Sequence, residues 1–304
     1  MPDFATSTSP HRAELVVHCY RLLGSVHEAE DLVQETMLRA WRAWDRYDSA
    51  RASVRTWLYR IATNACLTAL EGRARRPLPT GLGGPGDDPM TPLVPAFDVP
   101  WLQPFPDDPA ALAAARSGIR LAFVAAMQAL PPRQRAVLVL RDVLDFSAAE
   151  VADLLDTTTA SVNSALQRAR AGVEGISGDE LPESGEEVID RYVRAFEAAD
   201  VDALVALLTD DVVMEMPPVP LWFSGRADYG RFLTRVFDMR GPRWQLVRTT
   251  ANAQPAFAAY CWDGAAFRLH TLQVFSIDRG LVAHNAVFQD PAVFEAFGLA
   301  PVLG

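Results

Sequence analysis

The sequence predicts a multidomain chain: two all-α domains within the first 176 residues, then an α+β domain shaped like a cone. Three observations predict it. Apolar residues recur at steps of one, three and four through 27–44 and again through 121–170, the spacing of one helical face. Residues 77–110 are crowded with Pro, Gly and Asp, a composition in which neither helix nor strand persists. From residue 186 the order is helices first, then strands separated by turn residues, which builds α+β layers. The predicted division is a helical block at 11–76, a linker at 77–110, a second helical block at 111–176 and a third block at 186–300. A second break falls at 172–187, rich in Gly, Ser, Pro and acid.

The composition bounds what these blocks do. Half of the 304 residues are hydrophobic and 22% are charged, which marks a globular chain of two or three domains. No apolar run nears the ~20 residues that span a bilayer, and the start lacks a basic-then-apolar signal layout. A cytoplasmic protein with no membrane partner is expected. The net charge is −10, and all 28 basic residues are arginine. Residues 1–76 are net +2, with 11 Arg against 9 acids; residues 177–304 are net −8, with 10 Arg against 18 acids. Nucleic-acid contact therefore belongs to the helical blocks, since the last block repels phosphate. Cys19, Cys66 and Cys261 are far apart in sequence and match no metal spacing, so buried free thiols are expected, with no metal and no cofactor.

In the first block, Leu32, Val33, Thr36, Met37, Ala40, Trp41 and Trp44 form one apolar helical face. Asp31, Gln34 and Glu35 share the opposite face. The next helical stretch turns Val54, Trp57, Leu58, Ile61, Ala62, Ala65 and Leu70 toward a core. Arg55, Arg60, Arg73, Arg75 and Arg76 supply positive charge there, and Trp57 and Tyr59 offer aromatic planes that can stack on unpaired bases. For Trp57 the helical period favours core packing. In the linker, Trp101, Leu102 and Phe105 are apolar. Two readings stand for them: a cluster against a neighbouring domain, or a segment that docks in a partner's groove.

The second block holds a helix over LAFVAAMQAL, a new helix opened by Pro131-Pro132, a Ser147-Ala-Ala-Glu150 capping box, a turn at Asp156-Thr157 and an N-cap at Thr158. On the last helix Val162, Leu166 and Ala169 face inward. Thr158, Ser161, Asn163, Ser164, Gln167, Arg168 and Arg170 are left for DNA, as small polar residues near the start of a reading helix suit a major groove.

The runs AEDLVQETMLRAW and TWLYRIATNACL resemble region 2 of the sigma-70 family, extracytoplasmic-function group. LPPRQRAVLVLRD, SAAEVADLL and SVNSALQRAR together resemble region 4. The resemblance implies that the Asp31, Gln34, Glu35 face meets the β′ clamp helices of core RNA polymerase. It also implies that residues 51–76 open and hold the promoter −10 element, and that the helix-turn-helix reads the −35 element. Few positive charges on the reading helix suit such an initiation subunit, because polymerase supplies much of the grip on DNA.

The third block begins with an amphipathic helix at Val188, Ile189, Tyr192, Val193 and Phe196, then a second short helix, the strand VVMEM and the helix GRADYGRFLTRVF. WQLVRTTANAQ, AFAAYCWD, AAFRLHTLQVFSI and LVAHNAVFQD read as strands, with turns at Asp263-Gly264 and Asp278-Arg279-Gly280. The order is similar to the SnoaL-like branch of the nuclear-transport-factor-2-like superfamily, some of whose members are cyclases or isomerases. Candidate pocket residues for a small-molecule ligand are Trp222, Tyr260, Trp262, His270 and His284. No base–acid pair stands at fixed spacing, so no catalytic residue is assigned. The leading reading is a sigma factor whose third block regulates it in cis. The competing ones are a solitary helix-turn-helix regulator with a ligand domain, and a cyclase or isomerase dependent on Asp263, His270 or His284.

Overall fold

The computed structural model describes residues 3–107, 118–174 and 185–303. Linker residues 108–110, residues 111–117 of the second expected block, and 175–184 of the second expected break lie outside the described residues. Two compact units form: Met1–Arg76 with Asp107–Glu180, and Pro77–Pro106 with Leu181–Gly304. The two helical blocks share the first unit, and the segment between them belongs to the second.

In the helical unit, the first block supplies α1 (Phe4–Thr8), α2 (Arg12–Leu23), α3 (Val26–Ala43) and α4 (Val54–Leu70). The second supplies α5 (Leu121–Gln128), α6 (Pro132–Leu138), α7 (Ala148–Leu154) and α8 (Thr159–Gly172). Their boundaries follow from local chemistry. Gly24, at φ 70°, ends α2 in the left-handed conformation that glycine adopts without a Cβ clash. The Ser53 hydroxyl accepts from the Thr56 amide at 3.1 Å and opens α4. Pro132 stands in the first turn of α6, where its missing N–H costs nothing.

A buried arginine knits the blocks together. The last carbonyls of α2 have no partner within their own helix. Arg135 donates to the Leu22 carbonyl, to Gln128 Oε1 at 2.7 Å, and to the carbonyls of Gln128 and Leu130 at 3.0 and 3.1 Å. Gln128 Nε2 in turn donates to the Arg21 carbonyl at 3.3 Å. Two side chains of the second block thus cap a helix of the first. Cys19 and Cys66, distant in sequence, also meet in this core. Both are buried, and burial together with contact to Cys19 pushes the Cys66 thiol well up. Cys261, in the other unit, is only half-buried, against the expectation of a buried thiol. It sits at the end of a strand, where its Sγ donates to the Arg240 carbonyl at 3.3 Å.

In the second unit, α9 (Glu186–Glu197), α10 (Val201–Val205) and α11 (Arg226–Arg240) accompany a seven-stranded sheet. Its strands are β1 (Leu208–Met216), β2 (Val219–Ser224), β3 (Trp244–Ala251), β4 (Gln254–Trp262), β5 (Phe267–Asp278), β6 (Leu281–Phe288) and β7 (Val302–Leu303). The order is β2-β1-β6-β5-β4-β3, with β7 beside β5. Only the β1–β6 pairing among these is parallel. Tyr192 of α9 packs on Phe257 and Phe275 and Phe196 on Phe257, ring centroids 5.1 to 6.2 Å apart, and these contacts hold the helix in the curve of the sheet. WQLVRTTANAQ, expected as one strand, turns back at Asn252-Ala253. Both residues have positive φ, 57° and 56°, which gives the primed turn that matches strand twist.

The segment 77–106 has no strand of its own among the named ones, and its backbone is bonded by this unit. The Thr80 amide donates to Glu215 Oε2 at 3.1 Å, and the Gly86 amide to the Trp222 carbonyl at 2.8 Å. Arg235 donates to the carbonyls of Pro89 and Thr91, both at 2.7 Å. The Ala96 amide donates to the Pro218 carbonyl at 2.9 Å. Phe105 and Asn252 exchange two bonds, 2.7 and 2.9 Å. Gly86 is needed for this path, since a Cβ there would stand 2.9 Å from the Phe223 ring. Trp101, Leu102 and Phe105 are all buried.

Candidate nucleic-acid interface and the cavity of the cone

The helix-turn-helix is built by its caps. Ser147 and Glu150 form the complete capping box of α7. Asp156, at φ 49°, carries the turn. The Thr158 hydroxyl accepts from the Ser161 amide at 3.2 Å and opens α8. Val162, Leu166 and Ala169 are buried, which leaves Thr158, Ser161, Asn163, Ser164, Gln167, Arg168 and Arg170 on the exposed face. Arg168 donates to the Ser164 hydroxyl at 2.6 Å. Arg170 grips Asp142 with two bonds of 2.8 Å. Thr158→Ala is expected to weaken α8 by about 1 kcal/mol. Faster hydrogen exchange at the Ser161 amide checks it, and unchanged exchange would show the cap to be idle.

The region-2 face looks different from its expectation. Tyr59 is fully buried, not an open plane for a base. Its hydroxyl donates to Glu14 at 3.1 Å and its ring meets Phe146 edge-on at 5.5 Å. Burial and the Glu14 charge push its phenol well up. Arg55 donates to Glu14 at 2.9 Å and lies over the Tyr59 and Phe146 rings. Arg60 pairs with Asp156 at 2.6 Å. Arg73 and Arg76 both pair with Glu28, at 3.0 and 2.7 Å, while Arg75 is exposed. Trp57 is half-buried in a cluster with Trp44 and Tyr47. Part of the face expected to meet the −10 element therefore packs on the helix-turn-helix within the same unit.

On α3, Asp31, Gln34 and Glu35 are exposed, and Glu35 pairs with Arg39. Trp41 was expected inside; it is 63% exposed, and Leu38 is 48% exposed. At positions 31, 34, 35, 38 and 41 these five side chains run along one stripe. Trp44, from the same expected face, does turn in, and packs with Phe4, Tyr47 and Trp57 at ring-centroid distances of 5.2 to 6.0 Å.

In the cone, a cavity of about 210 Å³ is lined by His270 but by none of Trp222, Tyr260, Trp262 and His284. The indole N–H of Trp222 donates to the Gly83 carbonyl at 2.9 Å. Tyr260 is buried elsewhere, and Trp262 lies under Arg243 at 4.1 Å. His284 Nε2 bonds Glu215 Oε1 at 2.7 Å. Burial would raise the Glu215 carboxyl, but His284 and the Thr80 amide outweigh it and hold it below the usual range. Asp263 is occupied by its own turn, accepting from the Ala265 and Ala266 amides at 2.9 Å and pairing with Arg268. Burial, then the Arg240 charge, lowers His270 to about 4, so the cavity holds it neutral.

Residues 9–76 match the family described as Sigma-70 region 2, residues 120–171 match Sigma-70, region 4, and residues 189–292 match the SnoaL-like domain. The ECF RNA polymerase sigma factor SigG of Mycobacterium tuberculosis is 48% identical over 314 aligned residues, which take in 98% of this chain and 84% of the relative. This chain belongs to the extracytoplasmic-function (ECF) sigma factors. ECF sigma factor SigJ of the same organism is 36% identical over 235 residues, 76% of this chain and 67% of the relative. The crystal structure of the Mycobacterium tuberculosis extracytoplasmic function sigma factor SigJ aligns with a TM-score of 0.69 at 25% identity, over 97% of this chain and all of that one.

Sequence reasoning missed the polar lining of this sigma factor's cavity: Tyr229, Thr271, Gln273 and Asn285. A signal was available. Thr271, Gln273 and Asn285 alternate with apolar residues along their strands, and a buried polar side chain demands a partner. Among the described residues no helix is long and apolar enough to cross a membrane.

Proposed function

We propose that this sigma factor docks core RNA polymerase on the α3 stripe of Asp31, Gln34, Glu35, Leu38 and Trp41, reads the −35 element with α8, and reads the −10 element with the α4 face. Its SnoaL-like unit regulates it in cis through the 77–106 segment. One observation carries the dependence on polymerase. Of the seven arginines expected to meet DNA, Arg55, Arg60, Arg73, Arg76 and Arg170 are already paired with acids of the chain. Phosphate contacts supply most non-specific affinity, so the free protein has little of it to offer. Polymerase must provide the grip, and the two readers must part for the α4 face to meet DNA. The Thr80 to Phe105 bonds support the regulatory reading, because they hold the tether between the readers.

In vitro transcription on genomic fragments tests this. Specific starts are expected only when the protein and core polymerase are both present. A fragment shifted by the protein alone, with no starts, would favour the solitary regulator. Arg235→Ala, which frees the Pro89 and Thr91 carbonyls, is expected to change the yield of starts at least about twofold without abolishing them. Identical yields from the two proteins would remove the regulatory role of the strap.

A further inference from the structure

The helix-turn-helix carries an acid that DNA binding alone does not explain. After α6 the chain makes one π-helical turn, Val139–Val143, closed by the Leu144 amide on the Val139 carbonyl at 3.0 Å. Single π turns are rare and gather at functional positions. This one carries Asp142, whose Oδ2 and Oδ1 accept from Arg170 Nε and Nη2, each at 2.8 Å. Two parallel bonds of this kind form the fork by which a carboxylate fixes the plane of a guanidinium. By charge alone Asp142 opposes DNA binding, since it cancels an arginine on a face meant for phosphate. As a tie it adds little stability. The Arg170 side chain is 61% exposed, and exposed ion pairs contribute little.

We propose that Asp142 is a positioning residue, which holds Arg170 in the orientation that clamps one DNA phosphate beside the −35 element. This rests on the reading of α8 given above. Asn163, Gln167 and Arg170, at steps of four and three, form one stripe of that helix. Arg170 lies in its last turn, about 10 Å beyond Asn163 along the axis. The first turns of a reading helix meet base edges, so the last turn is left for backbone. Asp142 takes two of the five guanidinium N–H groups. The rest include one on each Nη, a second fork that suits two phosphate oxygens. The pair is neutral as a unit and adds nothing to the grip at a distance. It acts once polymerase has brought α8 to DNA, and an arginine already ordered loses less freedom in that contact.

The test uses holoenzyme, assembled from the full chain and core RNA polymerase, on a genomic fragment that yields specific starts. Arg170→Ala is expected to weaken binding and to reduce the salt slope by about one. The loss should be the same on copies of the fragment with single base-pair changes near −35; a loss tied to one base pair overturns the phosphate contact. Asp142→Asn keeps the shape and breaks the fork. It is expected to weaken binding about threefold, the cost of ordering one long side chain less the relief of a lost acid. In the Arg170→Ala background the same change should strengthen binding, about twofold, because only the relief remains. That reversal of sign is what action through Arg170 requires. A gain in both backgrounds makes Asp142 a repulsive charge and nothing more. An equal loss in both, with a lower melting temperature, makes it a structural tie. Either result overturns the proposal, as does unchanged binding by Arg170→Ala. No starts from wild-type holoenzyme would overturn the reading of α8 along with it.

Discussion

Trp41→Ala is expected to weaken the complex with core RNA polymerase by about 30-fold, roughly 2 kcal/mol, while stability moves by no more than about 0.5 kcal/mol. The split follows from exposure. Trp41 is 63% exposed and contributes little to the core that α3 makes with α2 and α4. An exposed tryptophan beside Leu38, rimmed by Asp31, Gln34 and Glu35, has the composition of an interface centre with a polar rim. Glu35→Ala provides the contrast. A rim charge acts on association rate and is screened by salt, so its effect should be several-fold smaller and should fade at high ionic strength. A competition assay against fluorescently labelled wild-type protein, with thermal melts alongside, decides between outcomes. Wild-type affinity in Trp41→Ala would remove the α3 stripe as the docking face. A large fall in melting temperature would return Trp41 to a structural role.

Acidification should loosen the helical unit through His18. This ring is fully buried between α2 and α4, with Nε2 2.9 Å from the Thr63 hydroxyl. Burial, then the charges of Arg21 and Arg55, lowers its pKa to about 3 from an ordinary 6.5. The unfolded chain therefore takes up a proton below about pH 6.5 that the folded unit refuses until about pH 3. Stability contributed by the neutral ring is fully present above pH 6.5 and declines as pH falls through that window. The slope is about 1.4 kcal/mol per pH unit, or about 3 kcal/mol between pH 6.5 and 4. Hydrogen exchange at the Ala62 and Ala65 amides of α4 reads this unit without the other. His18→Met is expected to cost about 1 kcal/mol at pH 7 and to flatten the acid limb relative to wild type. Parallel acid limbs in the two proteins would assign the loss to carboxylates instead.

Much of the chain was legible before any coordinates. The Ser147–Glu150 box, the Thr158 cap and the inward trio Val162, Leu166 and Ala169 all stand as the spacing implied. So does the passage from helices to a sheet in the third block. These are local facts. A cap bonds an amide three residues away, and an apolar period of 3.6 or 2 belongs to one element. What was misjudged depends on neighbours far along the chain. Tyr59 is closed off by Glu14 and Phe146, and Trp41 stays outside while Trp44 packs against Trp57 and Phe4. His284 and Trp222 were read as pocket residues by type, and Asp263 as one an enzyme would need, but a carboxylate, the 77–106 segment and a turn occupy them.

By itself the sequence determined the helices, their caps and the helix-turn-helix, which are written in short-range spacing, and its resemblance to sigma-70 regions 2 and 4 pointed to the family. Only the tertiary structure decided that the two readers share one core through Arg135, that the tether is bonded to the extension, and that Asn285 donates both amide hydrogens inside the cone. Each of those turns on which buried polar group finds a partner. Partners of that kind are chosen by packing between distant segments, which no local pattern records.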